Sequence, residues 1–120
     1  MKIAKARVLV TGGSSGIGRA TAKALTDLGA SVAICGRQQQ SINAAAQETG
    51  ATPFVADVSN ERDVTALIPR VIDALGGYDA VVNNAGFGRF GPLVDMTVDD
   101  MRAVWETNVL GATMVARESA

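Results

Sequence analysis

Any chemistry in this 120-residue chain must proceed without histidine, because there is none. That removes Ser-His-Asp and Cys-His nucleophilic catalysis and nearly every zinc site. What is left is carboxylates, one tyrosine (Tyr78), the lysines Lys2, Lys5 and Lys23, or a borrowed cofactor. The strongest chemical pattern is TGGSSGIG, residues 11–18, placed directly after the apolar run RVLV and before RATAKAL. A strand–loop–helix junction aims free backbone N–H groups and the positive end of a helix dipole at one spot, and glycine lets a phosphate approach closely. A tight turn that binds nothing is the plain alternative. The phosphate-loop pattern of NTPases fits from Gly13 to Gly18, but Arg19 and Ala20 then stand where its lysine and its magnesium-binding hydroxyl belong. An NTPase reading fails. The common G-x-G-x-x-G dinucleotide fingerprint does not fit either, since the spacing here is G-x-x-x-G-x-G through Gly12, Gly16 and Gly18.

The elements that position this loop follow from the apolar pattern. Short apolar runs at Arg7–Thr11, Ser31–Gly36, Thr52–Ala56 and Asp79–Asn83 read as strands. Between them, Ile17, Ala20, Ala24 and Leu28 recur at helical spacing and stop at Gly29, and an alanine- and glutamine-rich segment, Gln38–Thr49, stops at Gly50. Val64, Leu67, Ile68, Val71 and Leu75 form a third stripe after a cap at Ser59 or Asn60, with Pro69 inside it predicting a kink. A last helix opens at Thr97 with Asp100 completing a capping box, and Met101, Val104, Trp105, Asn108, Ala112 and Val115 line one face. Alternating strands and helices, with strands apolar throughout, predict an α/β fold: a parallel sheet covered on both faces. The closing VARESA stays helical with no glycine, asparagine or proline stop, so the sequence reads as cut rather than finished.

Composition narrows the class. With 48% apolar and 19% charged residues the chain fits one folded domain, and no apolar run nears the ~20 residues of a membrane span. A net charge of −1 without a long basic run argues against nucleic acid. The start, MKIAKARVLVTGG, has only a three-residue apolar run, too short for a signal-peptide core, so a cytoplasmic protein is expected. Cys35 closes SVAIC and reads as a small buried residue without a disulfide partner. No metal site is expected.

TGGSSGIG, NNAG (Asn83–Gly86) and TNVLG (Thr107–Gly111), in that order, resemble the short-chain dehydrogenase/reductase family, and the resemblance covers essentially the whole chain. It implies a Rossmann-like three-layer α/β/α fold with strand order 3-2-1-4, truncated before a fifth strand. Residues 1–120 would be the cofactor-binding N-terminal part of the family's domain. By the family's roles, Gly12, Ser14, Ser15, Gly16 and Gly18, with Thr11 and Ile17 in the same loop, would cradle the cofactor's pyrophosphate and adenosine side. Asp57, with Val58 beside it, would accept a hydrogen bond from the adenine amine. Asn84, Ala85 and Gly86, with Asn83, would end the fourth strand under the adenosine ribose. Asn108 would be the asparagine of the catalytic tetrad, organising a water-linked proton relay. Each has a plainer reading: Asp57 as a turn cap, NNAG as an ordinary turn, Asn108 as a satisfied structural amide.

The second strand ends AICGRQ, so Gly36 stands where the family's acid would hold the ribose hydroxyls of NAD, and Arg37 follows. A guanidinium binds a 2′-phosphate with roughly 1.5–3 kcal/mol, and Ser14 adds a hydroxyl. NADP is therefore expected over NAD, with a solvated Arg37 as the alternative. The family's serine and its Tyr-x-x-x-Lys pair have no counterpart: the residue four places after Tyr78 is Val82. The expected function is an NADP(H)-dependent oxidoreductase for a small carbonyl/alcohol pair, represented by its cofactor-binding half and inactive alone. A non-catalytic NADP-binding module, or an interaction protein that kept only the fold, are the alternatives. An open apolar fourth strand and the helix of Trp105 lead to an expected homo-oligomer, with no nucleic-acid or membrane partner.

Overall fold

The computed structural model describes residues 1–120. Strands and helices alternate as β1 (Arg7–Thr11), α1 (Gly16–Asp27), β2 (Ser31–Gly36), α2 (Gln39–Thr49), β3 (Thr52–Val55), α3 (Glu61–Leu75) and β4 (Ala80–Val82). A 3-10 turn at Leu93–Asp95 then leads into α4 (Val98–Trp105), a π-helical stretch (Glu106–Gly111) and α5 (Ala112–Ser119). The strands are parallel in the order β3-β2-β1-β4, with Leu9 level with Ala33 on one side and Val81 on the other.

Side chains alternate across a strand, and here both faces are buried. Leu9, Ala33, Cys35 and Phe54 face Val64, Leu67 and Val71 of α3 and Val115 of α5. Val8, Val10, Val32 and Ile34 face Ala22 of α1 and Ile42 and Ala45 of α2. Two-sided burial is why these strands are apolar without alternation, and the result is the expected Rossmann-like three-layer arrangement with order 3-2-1-4.

Four local expectations change. The stripe read for α1 faces outward: Ile17 and Leu28 are 78% and 59% exposed, and Ala20 and Ala24 are exposed as well. The sheet-facing positions are Gly18 and Ala22, with Leu25 packed alongside. A Cβ on Gly18 would collide with the Gly12 carbonyl oxygen, so α1 presents its smallest residues, not its largest, to the sheet.

α3 runs through Pro69 as one helix, with its stripe buried as expected. Pro69 lies on the exposed side, as does Thr65, whose carbonyl the proline leaves without its helical donor. Of the two candidate caps, Asn60 does the capping, its side chain accepting from the Asp63 N–H.

β4 is shorter than its apolar run, and the side chains of both flanking residues are tied to neighbouring elements. Asp79 is held by Arg7, whose Nε and Nη2 donate to it at 2.9 and 3.0 Å, and Asn83 Nδ2 donates to the Ala112 carbonyl at 2.7 Å.

The last helix keeps its Thr97–Asp100 capping box but does not bury the expected stripe. Met101 and Trp105 are 42% and 51% exposed, and burial begins only at Gly111, Met114 and Val115. The π-helical stretch rotates the faces that follow it. Gly111 at its end approaches the turn after β3 so closely that a Cβ there would lie 2.9 Å from the Val58 carbonyl oxygen.

Candidate functional site

The carboxyl ends of all four strands open on one cavity of about 630 Å³. It sits where the strand order reverses, between β1 and β4, the place where open parallel sheets take ligands. Its floor is the glycine loop, Gly12 and Ser14 to Ile17; its sides are Gly36 and Arg37 after β2, Ala56 to Val58 after β3, and Asn84 to Phe87 after β4.

The loop is built on hydrogen bonds around one buried residue, Thr11. Thr11, fully buried, accepts at Oγ1 from the backbone N–H groups of Asn84 (3.0 Å) and Ala85 (2.9 Å). Asn84 Nδ2 answers by donating to the carbonyls of Thr11 (3.1 Å) and Gly12 (3.2 Å). The first and fourth strands thus end in one interlocked turn. Gly16 sits at φ +55°, and no atom lies within 4 Å of where its Cβ would be, so the backbone there faces open space.

The start of α1, like that of α2, has no side-chain cap. Asn60 caps α3 and Thr97 caps α4, but the Ser15 side chain makes no capping bond. The N–H groups of Gly16, Ile17 and Gly18 therefore have no acceptor within the chain, and the helix dipole adds partial positive charge at the same point.

At the end of β2, a Cβ on Gly36 would lie 3.3 Å from Ile42 Cδ1 and 3.5 Å from Ser14 Oγ, which bounds the space beside Arg37. Arg37 is exposed on the cavity rim and makes neither an ion pair nor a side-chain hydrogen bond in the chain. Arg19, by contrast, is paired with Glu48 at 3.6 Å. Cys35 lines the same corner, and burial pushes its thiol up to about 11, only partly offset by a hydrogen bond from the Gly12 backbone. A thiol that stays protonated there is a packing residue.

Asp57 takes the plainer of the two roles read for it, as a turn residue. Its Oδ1 accepts from the N–H (2.9 Å) and hydroxyl (2.7 Å) of Ser59, so it does fold the turn before α3. It also lines the cavity, together with Val58.

Asn108 is exposed rather than buried, and its amide is tied to one residue. Oδ1 accepts from the Phe87 N–H at 3.0 Å while Nδ2 donates to the Phe87 carbonyl at 2.7 Å. It does not line the cavity, but its neighbour Thr107 does.

Cys35, Ala56, Phe87 and Thr107 are cavity walls that the motifs alone did not single out, although each ends, follows or belongs to one of them. Tyr78 lies at the opposite end of the sheet, half-buried, sharing a 2.7 Å hydrogen bond with Ser119 Oγ.

Residues 6–120 match the family model for short chain dehydrogenase. The chain belongs to the short-chain dehydrogenase family. Glucose 1-dehydrogenase of Gluconobacter oxydans (strain 621H) is 37% identical over 98% of this chain and 46% of its own length. A short chain dehydrogenase from Burkholderia cenocepacia J2315, in complex with NADP, superposes with a TM-score of 0.91 at 36% identity, covering 99% of this chain and 51% of that one. An NAD+-bound xylitol dehydrogenase gives 0.90 at 33% identity, covering 99% and 48%. The chain therefore spans about half the length of these relatives.

One of these two structures carries NADP and the other NAD+. The residues present here fit such a group. N–H donors without acceptors meet at a glycine whose Cβ position is open, and an uncommitted guanidinium stands at the rim.

Proposed function

We propose that this chain is the NADP(H)-binding, N-terminal part of a short-chain oxidoreductase acting on a small carbonyl or alcohol. The observation that carries the choice of NADP is Arg37, unpaired on the cavity rim beside Gly36 and Ser14. A carboxylate in place of Gly36 would favour ribose hydroxyls and repel a phosphate; none is there.

In this reading Gly12 to Gly18 hold the pyrophosphate, and Arg37 and Ser14 hold the 2′-phosphate. Asp57 and Val58 border the adenine, and Asn84 to Gly86 lie under the ribose. NADP, when bound, supplies the hydride chemistry. Asn108 is a positioning residue, acting on the reaction by fixing the backbone of Phe87 at the cavity wall.

The chain has no Tyr-x-x-x-Lys pair, so by itself it binds without turnover. No helix is long and apolar enough to cross a membrane, and a single free thiol suits a reducing, cytoplasmic setting. The open edge of β4, with Met101 and Trp105 exposed on α4, supports self-association.

Titrating NADPH into the isotopically labelled chain and following backbone amides by NMR tests this reading. Shifts should concentrate on Gly12 to Gly18, Arg37, Asp57 and Asn84 to Phe87. No saturable change at these residues would leave the interaction-protein reading in its place.

A further inference from the structure

We propose that Ser59 is a positioning residue for adenine recognition, acting through Asp57; the proposal rests on the dinucleotide reading above. In the turn between β3 and α3, Ser59 sends two donors, its N–H (2.9 Å) and its hydroxyl (2.7 Å), to the same carboxylate oxygen, Asp57 Oδ1. The Asp57 backbone is fixed too, its N–H donating to Asp63 Oδ2 at 2.8 Å. Asp63 in turn is held by the helix cap, its N–H donating to Asn60 Oδ1 at 3.0 Å. Asp57 lines the cavity, whereas Ser59 does not.

This division of labour has a chemical consequence. The terminal torsion of an aspartate is broad and roughly two-fold, so its oxygens exchange places easily unless one is held. Ser59 occupies Oδ1 with two donors, while Oδ2 accepts nothing from the chain. An ionised carboxylate only accepts, so Oδ2 favours a ligand with a donor, not an oxygen, at the exocyclic position it faces. Adenine presents an exocyclic amine; hypoxanthine presents an oxo group in its place. The Ser59 hydroxyl is what keeps the carboxylate in the selecting orientation, because the Ser59 N–H alone maintains the turn but fixes the oxygen with half the bonds.

The test is isothermal titration of NADPH and of its hypoxanthine analogue into the wild-type chain, Ser59→Ala, Ser59→Thr and, as reference, Asp57→Ala. Wild type should prefer the adenine form. Ser59→Ala should bind NADPH about three- to tenfold more weakly and the hypoxanthine analogue unchanged. Ser59→Thr, which keeps the hydroxyl, should retain the preference, and Asp57→Ala should abolish it. Equal weakening of both ligands in Ser59→Ala, or no weakening of either, overturns the role of Ser59 while leaving the dinucleotide reading standing. Failure of the wild-type chain to bind either ligand overturns both.

Discussion

Thr11 ends β1 with a buried hydroxyl that accepts from two successive backbone N–H groups, Asn84 and Ala85, and so joins the glycine loop to the turn after β4. Replacing it by valine keeps the shape but leaves both partly buried donors without their acceptor. Thr11→Val should cost about 1–3 kcal/mol, read as a lower urea midpoint at unchanged slope, with Thr11→Ser losing clearly less. An unchanged midpoint would mean that the two N–H groups find other acceptors. The glycines and NNAG of this site were legible in the sequence because each marks a backbone constraint, and such constraints are local. The partners of Asn108 and Asp57 were not. Asn108 bonds a backbone 21 positions away, a pairing set by how α4 and α5 dock rather than by any nearby residue. Asp57 looked like a choice between a cap and a ligand group, and its two oxygens allow both.

Among the elements, the alternation of strands and helices and the sheet order could be read in advance, since parallel strands buried on both faces leave an unmistakable apolar run. The orientation of α1 could not. Its packing is decided by how closely Gly18 meets Gly12, and a stripe of larger apolar residues misleads where close approach governs. β4 is also pinned from its far end. The Arg7 N–H and guanidinium bond Asp79, and the Asp79 N–H returns to the Arg7 carbonyl at 2.8 Å. The hydrogen bonds from Arg7 hold the Asp79 carboxyl below its usual 3.8. A depressed folded-state pKa stabilises above the unfolded value, and that stabilisation is lost as pH falls through the folded one. In thermal melts from pH 7 downward, wild type should exceed Asp79→Asn at neutral pH, and the gap should close below about pH 4. A gap that stays constant with pH would show that the ionised carboxylate contributes nothing to holding β4.

At the scale of the whole molecule, the chain is elongated, 48 Å along its longest axis against 26 Å across. α4 buries none of its own residues, and Val98, Met101 and Trp105 stand 62%, 42% and 51% exposed. β4 ends the sheet with its outer edge unpaired. Exposed apolar helix and open strand together favour association, so light scattering at micromolar concentration should report a particle larger than the 12.3 kDa monomer. A monodisperse monomer would contradict self-association. The cavity, by contrast, is lined by the strand ends, the glycine loop and Arg37, and whether it was built for a 2′-phosphate is most directly tested by isothermal titration of NADPH and NADH. NADPH should bind about 10- to 100-fold more tightly than NADH, and Arg37→Ala should bring the two close to parity. Equal affinities in the unsubstituted chain would contradict the assignment of NADP.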